Sequence, residues 1–279
     1  MVTPTPSLPH SLGGVIIFWY DGQLVNSSTL ELAIDDPGLL YGATVFTTVR
    51  VYENSLDSKL TQWDAHCDRL KFSLQSLGWY TPHEQQLRQG AQLMISQFPI
   101  LRITIFPDGR EWITGRELPL DLAQKQRMGI VASVASQELQ RCLPMHKTGN
   151  YLSPWLAKSA AGKLNAQEAI LADREGNWLE TSTGNLWGWG AGCWWTPPLT
   201  AGILPGIMRS QVLQWLQSQQ QTVREEPWTM ELIKGLEAIA YSNSVVEIIP
   251  IHTVIYPSGS LKYNPNHSVW QQLREIFLA

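Results

Sequence analysis

Runs with a two-residue period and runs with a helical period alternate along both halves of this 279-residue chain, and that alternation limits the possible folds more than any other feature. In the first half, "GVIIFWYDGQLV" reads as two β-rich segments around Asp21-Gly22, a dipeptide favoured in hairpin turns. "VFTTVRVYE" is β-branched with partial alternation. "DAHCDRLKFSLQSLG" then offers Asp64 as a helix N-cap, Leu70, Leu74 and Leu77 at helical spacing, and Gly78 as the stop. A second helix is expected within 83–97, "LRITIF" returns to strand, and "PDGREWITGRELPLD" is rich in turn-forming residues. In the second half, "GIVASVAS" predicts a strand, "YLSPWLAKSAAGKLN" a helix from about Pro154, and "EAILADREGNWLETSTGNLWGW" a strand, a turn at Glu175-Gly176-Asn177 and a strand. "ILPGIMRSQVLQWLQSQ" passes from a glycine loop into a helix carrying Val212, Leu213 and Leu216, and "EAIAYSNSVVEIIPI" predicts strands around a polar turn. Interleaving of this kind favours two α/β (α+β) units over a bundle or sandwich, and the length allows two cores. A boundary within 115–128 makes residues 1–122 the expected N-terminal α/β domain and 123–279 the C-terminal one. No internal repeat or long low-complexity segment interrupts the pattern.

Composition excludes several function classes. A formal net charge of −4 leaves no basic field for a nucleic-acid backbone, so a small-molecule partner is expected. The three cysteines (Cys67, Cys142, Cys193) lie far apart, without metal-ligand spacing and in an odd number, which suits packing better than a disulfide framework. The opening "MVTPTPSLPHSLGG" has neither a basic start nor an apolar signal region, and the apolar run "VIIFWY" cannot cross a bilayer. A soluble, cytoplasmic protein is therefore expected. "GWGAGC" (188–193) lacks a Walker lysine and a following helix and reads as a hairpin tip. The six histidines do not cluster as metal ligands, and no Gly-x-Ser-x-Gly elbow is present.

The stretch "MHKTGNYLSPWLAKSAAGKLNAQEAIL" raises the question of which lysine does chemistry. Most lysines are solvated, and Lys158 and Lys163, on or after the helix, fit that description. Lys147 instead precedes the Gly149-Asn150 turn, a place from which a flexible amine can point into a cleft, lose its proton and attack an aldehyde. In "GNWLETSTGNLW", Glu180 falls at a strand end, where it is either an ordinary exposed acid or a partner that keeps a pyridine nitrogen protonated. In "LPGIMRS", the backbone amides of Ile207 and Met208 at a helix start can face a phosphate, although such loops are also common connections. Arg69, one turn beyond His66 in "DAHCDRL", can add a charge-assisted phosphate contact or simply be solvated.

Taken together, these stretches resemble the class IV (fold-type IV) pyridoxal-phosphate enzymes, a family of branched-chain aminotransferases, D-amino-acid aminotransferases and aminodeoxychorismate lyases. The likeness runs from about residue 15 to 255 in order, spacing and residue type. It implies a two-domain D-amino-acid aminotransferase-like fold with pyridoxal 5'-phosphate as cofactor. It further implies Lys147 as the residue that holds the cofactor aldehyde and Glu180 as the partner of the pyridine nitrogen. Arg69, the Gly206-Ile207-Met208 turn and the polar turn at Ser242-Asn243 are implied as the phosphate site, with Tyr151 beside the phenolic oxygen. A homodimer whose partner helps to close each cleft is implied as well.

Within the family, the residues lean towards aminodeoxychorismate lyase, which converts 4-amino-4-deoxychorismate to 4-aminobenzoate and pyruvate on the way to folate. Thr47 in "VFTTVRV" stands where the aminotransferases usually carry an acid, and "GIMR" and "FPDGREW" are lyase-like. Thr47 is also what β-propensity alone would place in a half-buried strand. An anionic substrate needs a cation, for which Arg110 is the first candidate, with Arg116 behind it. The alternative is a branched-chain or D-amino-acid aminotransferase on the same scaffold. The early loop "DDPGLLYGATVF" departs from the family pattern at Pro37, Ala43 and Thr44, so no functional residue is carried over from it.

Overall fold

In the computed structural model, residues 17–256 and 258–278 are described, and the Pro-rich opening of the sequence lies outside them. Strands β1 (Ile17–Tyr20) and β2 (Gln23–Asn26) form the expected hairpin, with Asp21 and Gly22 both left-handed at φ 47° and 79°. The "DDPGLLYGAT" loop is a short helix α1 (Pro37–Tyr41), capped by Asp36 and closed by left-handed Gly42. Strand β3 (Val45–Arg50) is followed by helices α2 (Trp63–Leu77) and α3 (Glu84–Ile95), then by strands β4 (Ile100–Ile105) and β5 (Glu111–Arg116).

Two local expectations are corrected here. Helix α2 is capped at Gln62, in a left-handed conformation, and Asp64 lies inside the first turn, where its charge complements the helix dipole. Gly78 ends the helix as expected, at φ 68°. "EWITGR", expected within a turn-rich stretch, is instead the strand β5. Its buried Glu111 accepts from Trp19 Nε1 (2.8 Å) and the Gly22 amide (3.0 Å), and Gly115 lets the strand lie flat on Phe98. These long-range contacts override weak local propensity.

The five antiparallel strands are ordered β2-β1-β5-β4-β3. Alternation divides their side chains cleanly. Val45, Val49, Leu101, Ile103 and Ile113 pack with Leu70 and Leu74 of α2 and with α3, whereas Phe46, Thr48, Arg102 and Arg116 point the other way. Truncating a core residue such as Leu74 costs about 2–5 kcal/mol.

The rest of the chain builds a second, nine-stranded sheet. Helix α4 (Leu122–Met128) leads to β6 (Ile130–Val134), helix α5 (Leu152–Lys163), β7 (Glu168–Ala172), β8 (Trp178–Thr181), β9 (Asn185–Gly190) and β10 (Cys193–Thr196). Helix α6 (Ile207–Ser218), β11 (Val223–Glu225), α7 (Met230–Gly235), β12 (Ala238–Asn243), β13 (Glu247–Tyr256), β14 (Gly259–Lys262) and α8 (Val269–Arg274) complete it. The strand order is β11-β10-β9-β12-β13-β6-β7-β8, with β14 on β13, and parallel pairs occur at β6/β7, β6/β13 and β10/β11. Trp187, Trp194 and Trp270 fill one face beneath α6 and α8; Trp178, Trp228 and Ile239 fill the other. Helix α5 starts at Leu152, so Pro154 sits in its first turn, where a missing amide hydrogen is harmless. The 188–193 segment is a hairpin tip, turning at Ala191 and Gly192. All three cysteines are free. Among the described residues, no helix is long and apolar enough to cross a membrane and no cluster of metal-ligating side chains occurs.

Candidate active site

The edge of the smaller sheet explains why Lys147 is placed where it is. Strand β3 ends that sheet, and its free backbone edge is covered by residues 147–149: the Phe46 amide donates to the Lys147 carbonyl (2.8 Å), Val45 bridges to Thr148, and the Gly149 amide donates to Thr44 (2.7 Å). Gly149 is required for this approach, since a Cβ would stand 2.1 Å from Thr44 Oγ1. The lysine side chain is thereby sent into a cavity of about 400 Å³ bordered by both sheets.

Inside it, Lys147 Nζ lies 4.9 Å from the centre of the Phe46 ring and 5.4 Å from that of Tyr151. Burial, with the Arg69 and Arg141 guanidiniums nearby, holds its amine well below the ordinary lysine range. A neutral amine is the nucleophilic form. Tyr151 donates its hydroxyl to the Ser182 carbonyl, and burial pushes it up to about 12.

Glu180, on β8, is buried rather than exposed; it does not itself line the cavity but lies close enough to Lys147 to act on its amine. Arg141 Nη1 donates to its Oε1 (3.0 Å) and the Leu204 amide to its Oε2 (3.2 Å). Burial pushes the carboxyl up, against the opposing pull of Arg141 and the Leu204 amide. Arg141 also donates to the His146 carbonyl (2.5 Å), so it braces the lysine segment and the acid together. No sequence pattern marked Arg141, because the contact spans 39 residues.

A candidate anion site forms the other end. Ile207 and Met208 open the twelve-residue helix α6 onto the cavity behind Gly206, which has no side-chain cap. A Cβ at Gly206 would lie 2.1 Å from Asn185 Oδ1, so this approach too demands glycine. Arg69 enters from α2; burial lowers it only to about 10, so it stays cationic. Ser242 and Asn243 border the same space. The Asn243 side chain serves the turn itself, accepting from the Val245 and Val246 amides and donating to Thr183. Ser244 and Thr183, which the sequence reading missed, also line the wall.

Three expectations change. Thr47, expected to position substrate, is fully buried on the α2 side of β3, where it meets His66 and Arg69; the cavity-facing residues of that strand are Phe46 and Thr48. The cause is the strand's two-residue alternation. Arg110, the first candidate for the substrate carboxylate, does not line the cavity of this chain and is bound to Asp36 (2.7 Å), Asp108 (2.6 Å) and the Tyr20 hydroxyl (2.5 Å). Arg116, placed second, does line the cavity, together with the unforeseen Arg102. Lys158 is not simply solvated: it pairs with the fully buried Glu168 (3.3 Å) and borders the cavity.

A lysine whose amine is held well below its ordinary range, a buried acid near it and a glycine-edged helix start with an arginine form a candidate site for an aldehyde cofactor carrying a phosphate. The residues fit pyridoxal 5'-phosphate in donor set, charge and space. Residues 44–254 match the family model described as amino-transferase class IV, and the chain belongs to that family, whose members depend on pyridoxal 5'-phosphate. It is 26% identical over 254 residues to a putative branched-chain-amino-acid aminotransferase of Methanocaldococcus jannaschii, covering 85% of this chain and 87% of that one. It is 22% identical to the aminodeoxychorismate lyase of Vibrio harveyi, covering 88% and 94%. A D-alanine aminotransferase of Staphylococcus epidermidis is 25% identical, covering 83% and 86%. In fold, it is similar to the branched-chain amino acid aminotransferase of Escherichia coli (TM-score 0.78, 23% identity, 95% and 94% covered). It is equally similar to the branched-chain aminotransferase of Thermoproteus uzoniensis with norvaline (TM-score 0.78, 24% identity, 95% and 94% covered).

Proposed function

We propose that this class IV enzyme is a lyase converting 4-amino-4-deoxychorismate to 4-aminobenzoate and pyruvate. The observation that carries the reading is a pair of uncompensated guanidiniums. Arg102 and Arg116 lie on the cavity-facing side of neighbouring strands β4 and β5, in diagonal register, and neither has a carboxylate partner among the described residues. Arg69 is reserved for the phosphate, so these two remain for a substrate with two carboxylates, which aminodeoxychorismate and L-glutamate have and D-alanine and the branched-chain amino acids lack. "GIMR" and the Thr47 position add sequence support. Thr47 contributes to that support only through resemblance, because it does not face the substrate space.

The division of labour follows from the geometry. Pyridoxal phosphate, when bound, would supply an electron sink for the substrate carbon that bears nitrogen. Arg69, the α6 amides and Ser242 would hold its phosphate, Glu180 would hold a proton at its ring nitrogen, and Tyr151 would flank it. Lys147 would hold the aldehyde group. Its amine, kept below the ordinary lysine range, would be the base that takes the proton from the substrate carbon bearing nitrogen. Breaking the bond between ring carbon and ether oxygen then leaves an aromatic ring, and Lys147 returns its proton to the departing enolpyruvyl carbon to give pyruvate.

A second reading, an aminotransferase, is favoured by the 26% and 25% identical relatives. The test supplies the enzyme with aminodeoxychorismate and separately with L-glutamate, branched-chain amino acids or D-alanine. The lyase reading expects 4-aminobenzoate with pyruvate and little pyridoxamine phosphate; rapid pyridoxamine phosphate formation without 4-aminobenzoate overturns it. As a working assembly we further propose a homodimer divided into domains at 1–122 and 123–279, checked by light scattering and limited proteolysis.

A further inference from the structure

The geometry points to Thr47 and His66 as a neutral hydrogen-bond relay that aims Arg69 at the cofactor phosphate. This rests on the assignment of Arg69 to that phosphate. Arg69 Nη2 donates to Thr47 Oγ1 (2.8 Å), and Thr47 Oγ1 lies 2.5 Å from His66 Nδ1. Arginine has only hydrogens to offer, so Thr47 accepts from it. The hydroxyl keeps its own hydrogen, and the relay assigns that hydrogen to His66 Nδ1, with the ring hydrogen on Nε2.

All three groups sit in one packed layer. Thr47 is 0% and His66 1% exposed, between β3 and the first turns of α2, and Arg69 reaches from the same helix into the cavity. Burial, with Arg69 and Lys147 nearby, holds His66 well below the ordinary histidine range, so the relay adds no charge of its own. Among the described residues, Arg69 has no carboxylate partner. Its positive charge is therefore fixed in direction by a neutral acceptor and left whole for an anion. A carboxylate at position 47 would fix the same guanidinium while cancelling its charge. The relay thus sets both the aim and the strength of the phosphate contact, and Thr47 and His66 are positioning residues that never touch the reactants.

The test is titration of the cofactor-free enzyme with pyridoxal phosphate and with pyridoxal, which lacks the phosphate, read from the visible absorption of the bound aldehyde. Thr47→Val should weaken pyridoxal phosphate binding about tenfold, the equivalent of one ordinary hydrogen bond, and leave pyridoxal binding unchanged. Thr47→Ser should restore it. His66→Leu should behave as Thr47→Val, whereas His66→Asn, whose side-chain oxygen can accept from Thr47, should stay near wild type. The relay is overturned if Thr47→Val and His66→Leu bind pyridoxal phosphate normally, or lose both ligands by the same factor as a merely structural pair would. Arg69→Met separates the underlying assignment: it should lose phosphate-dependent affinity alone, and equal loss of both ligands removes Arg69 from the phosphate and the proposal with it.

Discussion

Replacing Arg102 with methionine tests the substrate reading directly. The guanidinium carbon lies 3.6 Å from the centre of the Phe46 ring, Nε donates to Thr104 Oγ1 (3.4 Å), and among the described residues no carboxylate pairs with it. Burial and the neighbouring Arg116 lower its proton affinity, which marks a site where a free cation is costly and an arriving anion welcome. A charge-assisted contact in such surroundings is worth about 1.5–3 kcal/mol, so kcat/KM for aminodeoxychorismate should fall by roughly 10- to 100-fold. Methionine keeps the length and packing of the stem on Phe46. It leaves no buried carboxylate unpaired, so the melting temperature should hold or rise slightly. Arg102→Lys should recover only part of the loss, because an ammonium cannot present the two-pronged contact. Arg116, more exposed, should cost less, up to about fivefold. The assay is steady-state release of pyruvate, beside pyridoxal phosphate affinity as a control. Unchanged kcat/KM in both single variants and their double variant refutes the dicarboxylate argument, as does a loss explained entirely by cofactor affinity.

Lys147→Ala should fold and lose the covalently held cofactor, and borohydride should fix the label on Lys147 in the parent protein; a label on Lys158 or Lys163 would refute the assignment. Glu180→Gln should retain cofactor but slow turnover about 10²-fold or more, since an amide cannot hold the ring proton against a developing negative charge; near-normal kcat in single-turnover assays would contradict this. The unfolded chain protonates Lys147 below the ordinary value of 10.5, whereas the folded chain does so only at lower pH, so neutralising this amine costs stability once pH drops below 10.5. Lys147→Met should accordingly raise the melting temperature of the cofactor-free protein at pH 7, and the gain should shrink as pH rises towards 10.5. Glu247→Gln should cost about 1–3 kcal/mol, measured by denaturant unfolding, because Arg50 (2.8 Å), the Tyr52 hydroxyl (2.8 Å) and Gln126 (2.9 Å) converge on that carboxylate beside the cavity-lining turn.

What the sequence determined by itself is local. The Asp21-Gly22 hairpin, the end of α2 at Gly78, the 188–193 tip and the glycine entry to α6 are fixed by turn chemistry and periodicity within a few residues. The residue types around Lys147, Glu180 and Arg69 likewise suffice for the family and its cofactor. Tertiary structure decided the rest, because it depends on faces and partners far apart in the chain. Residues 147–149 lying along β3 is what sends Lys147 into the cavity, while Lys158, on helix α5, reaches the cavity border paired with Glu168. Strand alternation puts Thr47 on the helix side and Phe46 on the cavity side, a distinction that two adjacent threonines conceal. Arg110 spends its charge on Asp36, 74 positions away, whereas Arg102 is left without an acid. Charges find their partners through space, and no pattern along the chain records which arginine will be left over.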